Sequence, residues 1–219
     1  MTMHWSVVWD NAGLLARGTG ITVLLTVLTM TLAVPGGILL ALMRFSSNVW
    51  LARSSACFTE FFRNLPLILV IYAAYYVLPL MLGFGFSPFT TALLALVMNV
   101  SAYNGETFRA GIASIRKGQS EAALALGMTR WQAMRVVVLP QATRRVLPVL
   151  ASTWVALFKD TSLVSIISVG DLTYSAMLIR SRTYRVLEVL TAMAAIYWAL
   201  GYPQAKLVDW INRRFGVRE

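Results

Sequence analysis

The feature that most restricts this sequence is a pair of long segments without charged side chains. One runs from Gly18 to Met43 and the other from Asn64 to Gly105. Apolar stretches of about 18 residues or more are typical of membrane-spanning helices, because a helix satisfies its own backbone hydrogen bonds in lipid. Charged residues make up only 13% of the chain, whereas a soluble domain has about 25%. The sequence therefore predicts an all-α, polytopic membrane protein.

The apolar pattern predicts five spans in a single transmembrane domain that covers residues 1–219. The spans lie at about 19–43, 64–82, 89–108, 142–158 and 188–206. A loop at about 111–140 separates the third span from the fourth, and a mostly polar loop at 171–185 separates the fourth from the fifth. Lys159 and Asp160 interrupt an otherwise apolar run, and we expect the fourth span to be discontinuous there, as transporter helices often are at a substrate site.

The distribution of basic residues predicts the orientation of these spans. With the N-terminus outside and the C-terminus cytoplasmic, 14 of the 19 Lys and Arg residues lie inside. The five outside are Arg17, Lys159, Arg180, Arg182 and Arg185. Because basic loops stay on the cytoplasmic side, we expect this orientation. It also accounts for the net charge of +10, so nucleic-acid binding is not expected.

Reactive and metal-ligating side chains are scarce. The chain has one cysteine, Cys57, and one histidine, His4, which excludes an internal disulfide and argues against a metal site. No phosphate-binding G-x-x-x-x-G-K-[ST] loop is present. We therefore expect no catalytic residues and no cofactor in this chain.

The segment Glu121–Pro140 has the pattern of two short helices joined by a turn. The first is predicted at about 120–126, with Gly127 at the position after a helix end that tolerates positive φ. Thr129 is predicted to cap the second helix, with Gln132 completing a capping box. Pro140 is predicted to end it, since proline lacks an N–H. The charge distribution places this segment in the cytoplasm.

The same segment resembles the EAA motif of ABC importer permeases. It carries Glu121-Ala122-Ala123, then Gly127, then Val137, Leu139 and Pro140 at the spacing of that motif. Flanking segments are similar to the polar-amino-acid branch (histidine, glutamine and glutamate/aspartate permeases). They are Arg63-Asn64-Leu65-Pro66-Leu67, Glu106–Ile112, Gly118-Gln119 and Lys159-Asp160-Thr161-Ser162-Leu163. The resemblance covers nearly the whole chain.

The resemblance implies a type I (MetI-like) ABC importer fold and a set of partners. These are a second permease (a copy of this chain or a sister subunit), a dimer of cytoplasmic ATPase subunits that binds ATP and Mg²⁺, and a periplasmic solute-binding protein. It also implies that the loop docks on the ATPase, with small residues at Ala122 and Ala123 permitting close approach. The ATPase-coupling residues would be Glu121, Ala122, Ala123, Gly127, Arg130, Leu139 and Pro140. The alternative is an amphipathic hairpin lying on lipid headgroups.

A polar substrate path is predicted on the third span. Asn99, Tyr103 and Glu106 recur at a spacing that places them on one helix face. Related amino-acid permeases suggest that they share one cavity with Asn64, Leu65, Pro66, Asp160, Thr161 and Ser162. Asp160 would receive the substrate amine, and the hydroxyls of Thr161 and Ser162, or N–H groups at a helix start, would receive its carboxylate.

Two of these acids also have structural alternatives. Asp160 could form an ion pair with Lys159 or Arg109, and Glu106 could pair with Arg109 three residues later.

The predicted function is the permease subunit of an ATP-driven, binding-protein-dependent amino-acid importer in the bacterial inner membrane. Overall similarity favours glutamate/aspartate as the substrate. A secondary transporter driven by an ion gradient is the main alternative, although it would be expected to show inverted repeats and paired broken helices. A membrane enzyme is a second alternative, but it would need convergent catalytic groups.

Overall fold

The computed structural model describes residues 3–215, and that part of the chain is almost entirely helical, without strands. Arg218, one of the 14 basic residues predicted on the inside, lies outside the described residues. The helices are α1 (Ser6–Asp10), α2 (Ala12–Arg44), α3 (Val49–Asn64), α4 (Leu67–Leu82), α5 (Pro88–Ala113), α6 (Lys117–Ala125), α7 (Arg130–Ile167), α8 (Leu172–Thr183) and α9 (Val186–Phe215).

Three of these helices, α2, α7 and α9, are long and apolar enough to cross a membrane. The pair α3 and α4 is bent by 107° and supplies a fourth candidate if it is counted as one broken span. Helix α5 has 26 residues, about 39 Å at 1.5 Å per residue, but it is not in that group. The five-span count therefore stays a prediction.

Helices α2 and α5 pack closely along their length. A Cβ on Gly37 would lie 2.6 Å from the Cβ of Asn104, and one on Gly36 would lie 2.5 Å from Oγ of Ser101. Small residues let membrane helices approach in this way. Thr22 and Thr26 of α2 are also buried, and Oγ1 of Thr26 donates to the carbonyl of Thr22 at 2.9 Å.

The largest apolar core joins α2, α4, α5 and α7. Its fully buried members include Leu25, Ile71, Leu96, Leu157 and Val164. Because these residues come from four different helices, the core holds the start of α4 beside the middle of α5 and the C-terminal part of α7. Those three segments surround the cavity described below.

The predicted break at Lys159–Ser162 is wrong. The backbone stays α-helical to Asp160 and then tightens into a 3₁₀ turn over Thr161–Ile167. Helix α7 ends at Ser168, which adopts φ 62°. The 3₁₀ turn keeps the backbone groups bonded through the polar residues, so no gap is needed to accommodate them.

The prediction that Pro140 ends a helix is also wrong, because α7 continues through it. Residues Ala133–Val138 form a wider π turn, in which Leu139 N–H donates to the carbonyl of Met134, five residues back. This altered bonding lies directly before Pro140, where the ring would otherwise meet the preceding turn. The fourth span consequently has no separate start near residue 142.

The loop predicted at 171–185 is mostly helical, since it contains α8. Oδ1 of Asp171 accepts from Tyr174 N–H at 2.9 Å and Oδ2 accepts from Thr173 N–H at 3.1 Å, which caps the helix. The helix ends at Tyr184, which has φ 56°. Helix α8 packs on α2, where Leu172 N–H donates to Oγ1 of Thr22 at 3.1 Å.

Candidate functional site

A cavity of about 450 Å³ lies where the start of α4, the middle of α5 and α7 meet. It brings together six of the nine residues predicted for the substrate path, although they come from three separate parts of the chain. The residues that line it are Arg63, Asn64, Leu65, Pro66, Leu67, Asn99, Val100, Tyr103, Thr153, Ala156, Leu157 and Asp160.

The break between α3 and α4 explains why Asn99 and Tyr103 face this cavity. Pro66 has no N–H, so the carbonyl of Phe62 lacks its helical donor. Nδ2 of Asn99 donates to that carbonyl at 3.0 Å, and Oη of Tyr103 donates to the carbonyl of Arg63 at 3.3 Å. The two side chains thus satisfy the exposed end of α3 and keep it in place beside the cavity.

Asp160 and Arg63 are the charged residues of the cavity lining. Asp160 is exposed to the cavity, and no cation lies within 4.0 Å of its carboxylate in the part of the chain described. The ion pairs considered for it are therefore absent among residues 3–215. The guanidinium carbon of Arg63 lies 5.6 Å from the centre of the Tyr103 ring, a cation–π distance.

Arg63 is a residue that the sequence argument did not assign to the cavity. It was one of the 14 basic residues predicted on the cytoplasmic side, because it directly precedes a predicted span. Its position immediately before Asn64-Leu65-Pro66 was the available signal, since residues at a helix break face the same space.

Thr161 and Ser162 do not line the cavity, and this part of the prediction is corrected. Thr161 is fully buried, and its Oγ1 donates to the carbonyl of Phe158 at 2.8 Å. Ser162 faces a different, mostly apolar cleft of about 660 Å³ between α7 and α9, together with Lys159. Because successive residues of a helical turn point about 100° apart, the neighbours of Asp160 point away from it.

Glu106 lies three residues after Tyr103 on α5, beside a second cavity of about 380 Å³. Its carboxylate is paired with Arg109, with Nη2–Oε1 at 2.5 Å and Nε–Oε2 at 2.9 Å. The structural alternative for Glu106 is therefore confirmed. Arg63 and Tyr103 line both cavities, and Arg145 lines the second, so the two cavities adjoin and form one groove along α5 and α7.

The turn between α6 and α7 has the predicted local structure. Gly127 adopts φ 82° after α6. Oγ1 of Thr129 accepts from Gln132 N–H at 3.2 Å, and Oε1 of Gln132 accepts from Thr129 N–H at 2.8 Å, which completes the capping box. Arg145 Nη1, from α7, donates to the carbonyl of Ser114 at 2.8 Å and holds α7 against the end of α5.

The predicted coupling residues divide into exposed and packed groups. Glu121, Ala122, Gly127, Arg130 and Pro140 are exposed. Ala123 is instead buried, and Leu139 is half-buried within α7. Ala123 is thus not available to a partner; its small side chain lets α6 approach the π turn of α7.

Two large apolar side chains project from the loop tip without cover. Leu126 is 81% exposed and Trp131 is 66% exposed. Neither residue was predicted from the sequence, although apolar residues around a Gly turn in a charged loop were a visible signal. An exposed Trp on a fixed turn is typical of a protein-docking surface.

Comparison with known proteins identifies the family. Residues 33–217 match the model for binding-protein-dependent transport system inner membrane components. The chain belongs to that family. It is 36% identical to the glutamate/aspartate import permease protein GltK of Escherichia coli O6:H1, over 96% of this chain and 97% of that one. It is 33% identical to the glutamine transport system permease protein GlnP of E. coli K12, over 99% and 100%.

A solved structure agrees with the fold. The crystal structure of an amino acid ABC transporter with histidines contains a chain that matches this one with a TM-score of 0.91 and 36% identity, over 98% of this chain and 100% of that one. The type I ABC importer fold is thereby confirmed. The chain is a permease subunit of the inner membrane and not an enzyme, and the secondary-transporter alternative is not supported.

Proposed function

We propose that this chain is the transmembrane subunit of an ATP-driven importer of polar amino acids, which receives its substrate from a periplasmic binding protein. The names of its relatives give glutamate, aspartate or glutamine as the transported amino acid. We expect a complex of two permease subunits, two ATPase subunits and the binding protein. ATP and Mg²⁺ would be bound by the ATPases and not by this chain.

The observation that carries the proposal is the cavity lined by Asp160 and Arg63. An amino acid carries an ammonium group and a carboxylate, so its site needs an anion and a cation. Asp160 has no competing cation within 4.0 Å among the described residues. We assign the ammonium group to Asp160, as expected from the sequence. The carboxylate is now assigned to Arg63, since Thr161 and Ser162 face elsewhere.

The choice between an acidic and a neutral amino acid depends on a second cation. Glutamate and aspartate carry an extra carboxylate, and Arg145 of the adjoining cavity is a basic residue that could attract it. Lys159, the neighbour of Asp160, faces the cleft between α7 and α9 instead. We keep glutamate/aspartate as the first candidate and glutamine as the second.

The exposed loop is proposed as the contact with the ATPase. Leu126 and Trp131 would enter an apolar groove of that subunit, with Glu121 and Arg130 at the polar rim of the contact. This arrangement requires the loop to be cytoplasmic, as the distribution of basic residues predicts. It favours ATPase docking over a hairpin lying on lipid, because the apolar residues project from a rigid capped turn.

The energy source can be tested directly in proteoliposomes that contain the whole complex, with the binding protein outside and ATP inside. Uptake of labelled glutamate and glutamine should stop when ATP is replaced by a non-hydrolysable analogue. It should persist when an uncoupler removes the ion gradient. Uptake that collapses with the uncoupler while ATP is maintained would contradict the proposal. A thermal-shift screen of the binding protein against the twenty amino acids would then rank the substrates.

A further inference from the structure

Three arginines are concentrated in a segment where basic residues are expected to be rare. In the predicted orientation only five of the 19 Lys and Arg residues lie outside, and Arg180, Arg182 and Arg185 are three of them within six positions. The positive-inside tendency disfavours such clusters in short extracytoplasmic loops. A basic cluster on the outer face therefore suggests a specific role for these side chains there.

The structure exposes these side chains at the end of α8. Arg180 and Arg182 are exposed in its last turn, and no acid lies within 4.0 Å of either in the part of the chain described. The side chain of Arg185 is 43% exposed and lies 4.0 Å from Glu188. A position at a helix C-terminus is favourable for an exposed cation, but it gives no reason for the aromatic residue that follows.

Tyr184 projects from the middle of this basic group and is 85% exposed. Its backbone is left-handed, with φ 56° and ψ 16°, at the position where a helix end usually carries Gly or Asn. The left-handed conformation is unfavourable for a residue with a side chain, because its Cβ approaches the following carbonyl oxygen. The exposed ring recovers none of this by burial within the described chain. Tyr and Arg together are the residues enriched at the energetic centres of protein interfaces.

Helix α8 holds these residues on a fixed support. Leu172, Ala176 and Ile179 of its inner face are buried, and the capped N-terminus is packed against α2. The helix also follows directly after the 3₁₀ turn of α7, whose α-helical part carries Asp160 of the cavity. A partner bound at the end of α8 would therefore be joined by a short, ordered segment to the helix that lines the cavity.

We infer that Arg180, Arg182, Tyr184 and Arg185 form a docking patch for an acidic surface of the periplasmic binding protein. The inference rests on the proposed function, because it requires both that partner and an extracytoplasmic α8. Charge complementarity selects an acidic partner, and Tyr184 is the apolar anchor of the contact. Contacts of this kind accelerate association and weaken with salt.

The test uses the complete transporter in nanodiscs, with ATP hydrolysis measured against the concentration of liganded binding protein. The double variant Arg180→Glu/Arg182→Glu should raise the half-stimulating concentration by about tenfold or more, since two attractive charges become repulsive. The maximal rate should be unchanged. Added salt should raise the half-stimulating concentration for the wild type and much less for the variant. Tyr184→Gly removes the ring while keeping the backbone conformation, and should also weaken stimulation.

The matched control is Arg17→Glu, which changes an exposed arginine also predicted outside but not in the patch. An unchanged half-stimulating concentration in both patch variants would overturn the inference. So would a shift that appears only in nanodiscs containing phosphatidylglycerol, because the patch would then bind lipid headgroups. Impermeant maleimide labelling of Arg182→Cys, in a Cys57→Ser background and in sealed proteoliposomes, reports the side of α8 separately. Labelling from inside would overturn the orientation itself, whereas outside labelling with unchanged stimulation would overturn only the patch.

Discussion

Arg130 and Asp160 lie on one continuous helix, α7, although the first is at the exposed loop tip and the second lines the membrane cavity. At 1.5 Å per residue they are about 45 Å apart along the axis. No loop separates them, so a displacement of the loop end is transmitted to the cavity through helix backbone. The π turn at Ala133–Val138 is where this helix departs most from α geometry before the membrane part.

Replacing Asp160 with Asn should lower the affinity of the transporter for its amino acid. The charged hydrogen bond to the substrate ammonium becomes a neutral one, which corresponds to about 1.5–3 kcal/mol or 10- to 150-fold. Uptake should therefore need a higher concentration of substrate-loaded binding protein, with ATPase association intact. Lys159→Gln is the control, because the neighbouring residue faces the other cleft. Normal uptake by Asp160→Asn would exclude the carboxylate from the substrate path.

Replacing Arg63 tests the carboxylate partner. Arg63→Gln removes the cation from the cavity and should reduce uptake about tenfold or more, whereas Arg63→Lys should retain part of it. Tyr103→Phe keeps the ring but removes the hydroxyl that donates to the Arg63 carbonyl. It should reduce uptake less than Arg63→Gln does, because it removes one neutral hydrogen bond of about 0.5–1.5 kcal/mol. If Arg63→Gln and wild type transport equally, the carboxylate is bound elsewhere.

Changes at the loop tip should separate docking from folding. Leu126→Asp places a charge on a side chain that is almost fully exposed, so the permease should fold normally but retain far less ATPase on co-purification. Gly127→Val introduces a branched side chain at φ 82° and should distort the turn at a cost of about 1–2 kcal/mol. Gly118→Ala is the matched control, since nothing lies within 4 Å of the added Cβ. Full ATPase retention by Leu126→Asp would contradict the docking proposal.

The contact between α2 and α8 predicts that replacing Gly18 and replacing Gly20 with alanine have different effects on stability. A Cβ on Gly18 would lie 2.6 Å from the carbonyl oxygen of Asp171 and 2.5 Å from Oγ of Ser175. Gly18→Ala should therefore destabilise the fold by about 1–3 kcal/mol, as overpacking does, and lower the melting temperature by several degrees. Gly20→Ala meets no atom within 4 Å and should leave the melting temperature unchanged. Equal melting temperatures for the two variants would show that α2 and α8 are not in contact.

Burial raises the pKa of Asp171 from 3.8 to about 6, against the opposing effect of the backbone N–H groups of Tyr174 and Thr173. Between pH 4 and 6 the folded state consequently binds more protons than the unfolded state. The contribution of this group is most favourable below about pH 4 and is lost as the pH rises through 6. Asp171→Asn keeps a capping oxygen without the titration. As the pH falls from 7 to 5, the melting temperature of the wild type should rise relative to that of this variant. A constant difference between the two melting temperatures would contradict the raised pKa of Asp171.

Local features of the loop and of α5 were predictable from neighbouring residues alone. Gly127 had to follow a helix end, and Thr129 with Gln132 had to form a capping box, because both depend on interactions within four residues. The spacing of Asn99, Tyr103 and Glu106 likewise predicted a shared helix face. It did not predict that Glu106 would be paired with Arg109 beside a second cavity.

The errors concerned features that depend on the rest of the fold. Pro140 was expected to stop a helix, and the 38-residue α7 instead continues through it with a π turn. Thr161 and Ser162 were expected to share the cavity with Asp160, but the direction of each side chain follows from how α7 is rotated against α5 and α9. Helix rotation is set by packing of distant segments, which the local sequence does not specify.

The sequence by itself determined the all-α membrane class, the cytoplasmic placement expected for the loop and the family, because hydropathy, charge and motif spacing are properties of the chain alone. The tertiary structure decided that Arg63 joins Asp160 across 97 positions at one cavity, and that the loop and the cavity share α7. These relationships arise from the packing of α2, α4, α5 and α7 around a common core, where burial of apolar surface selects which polar side chains meet.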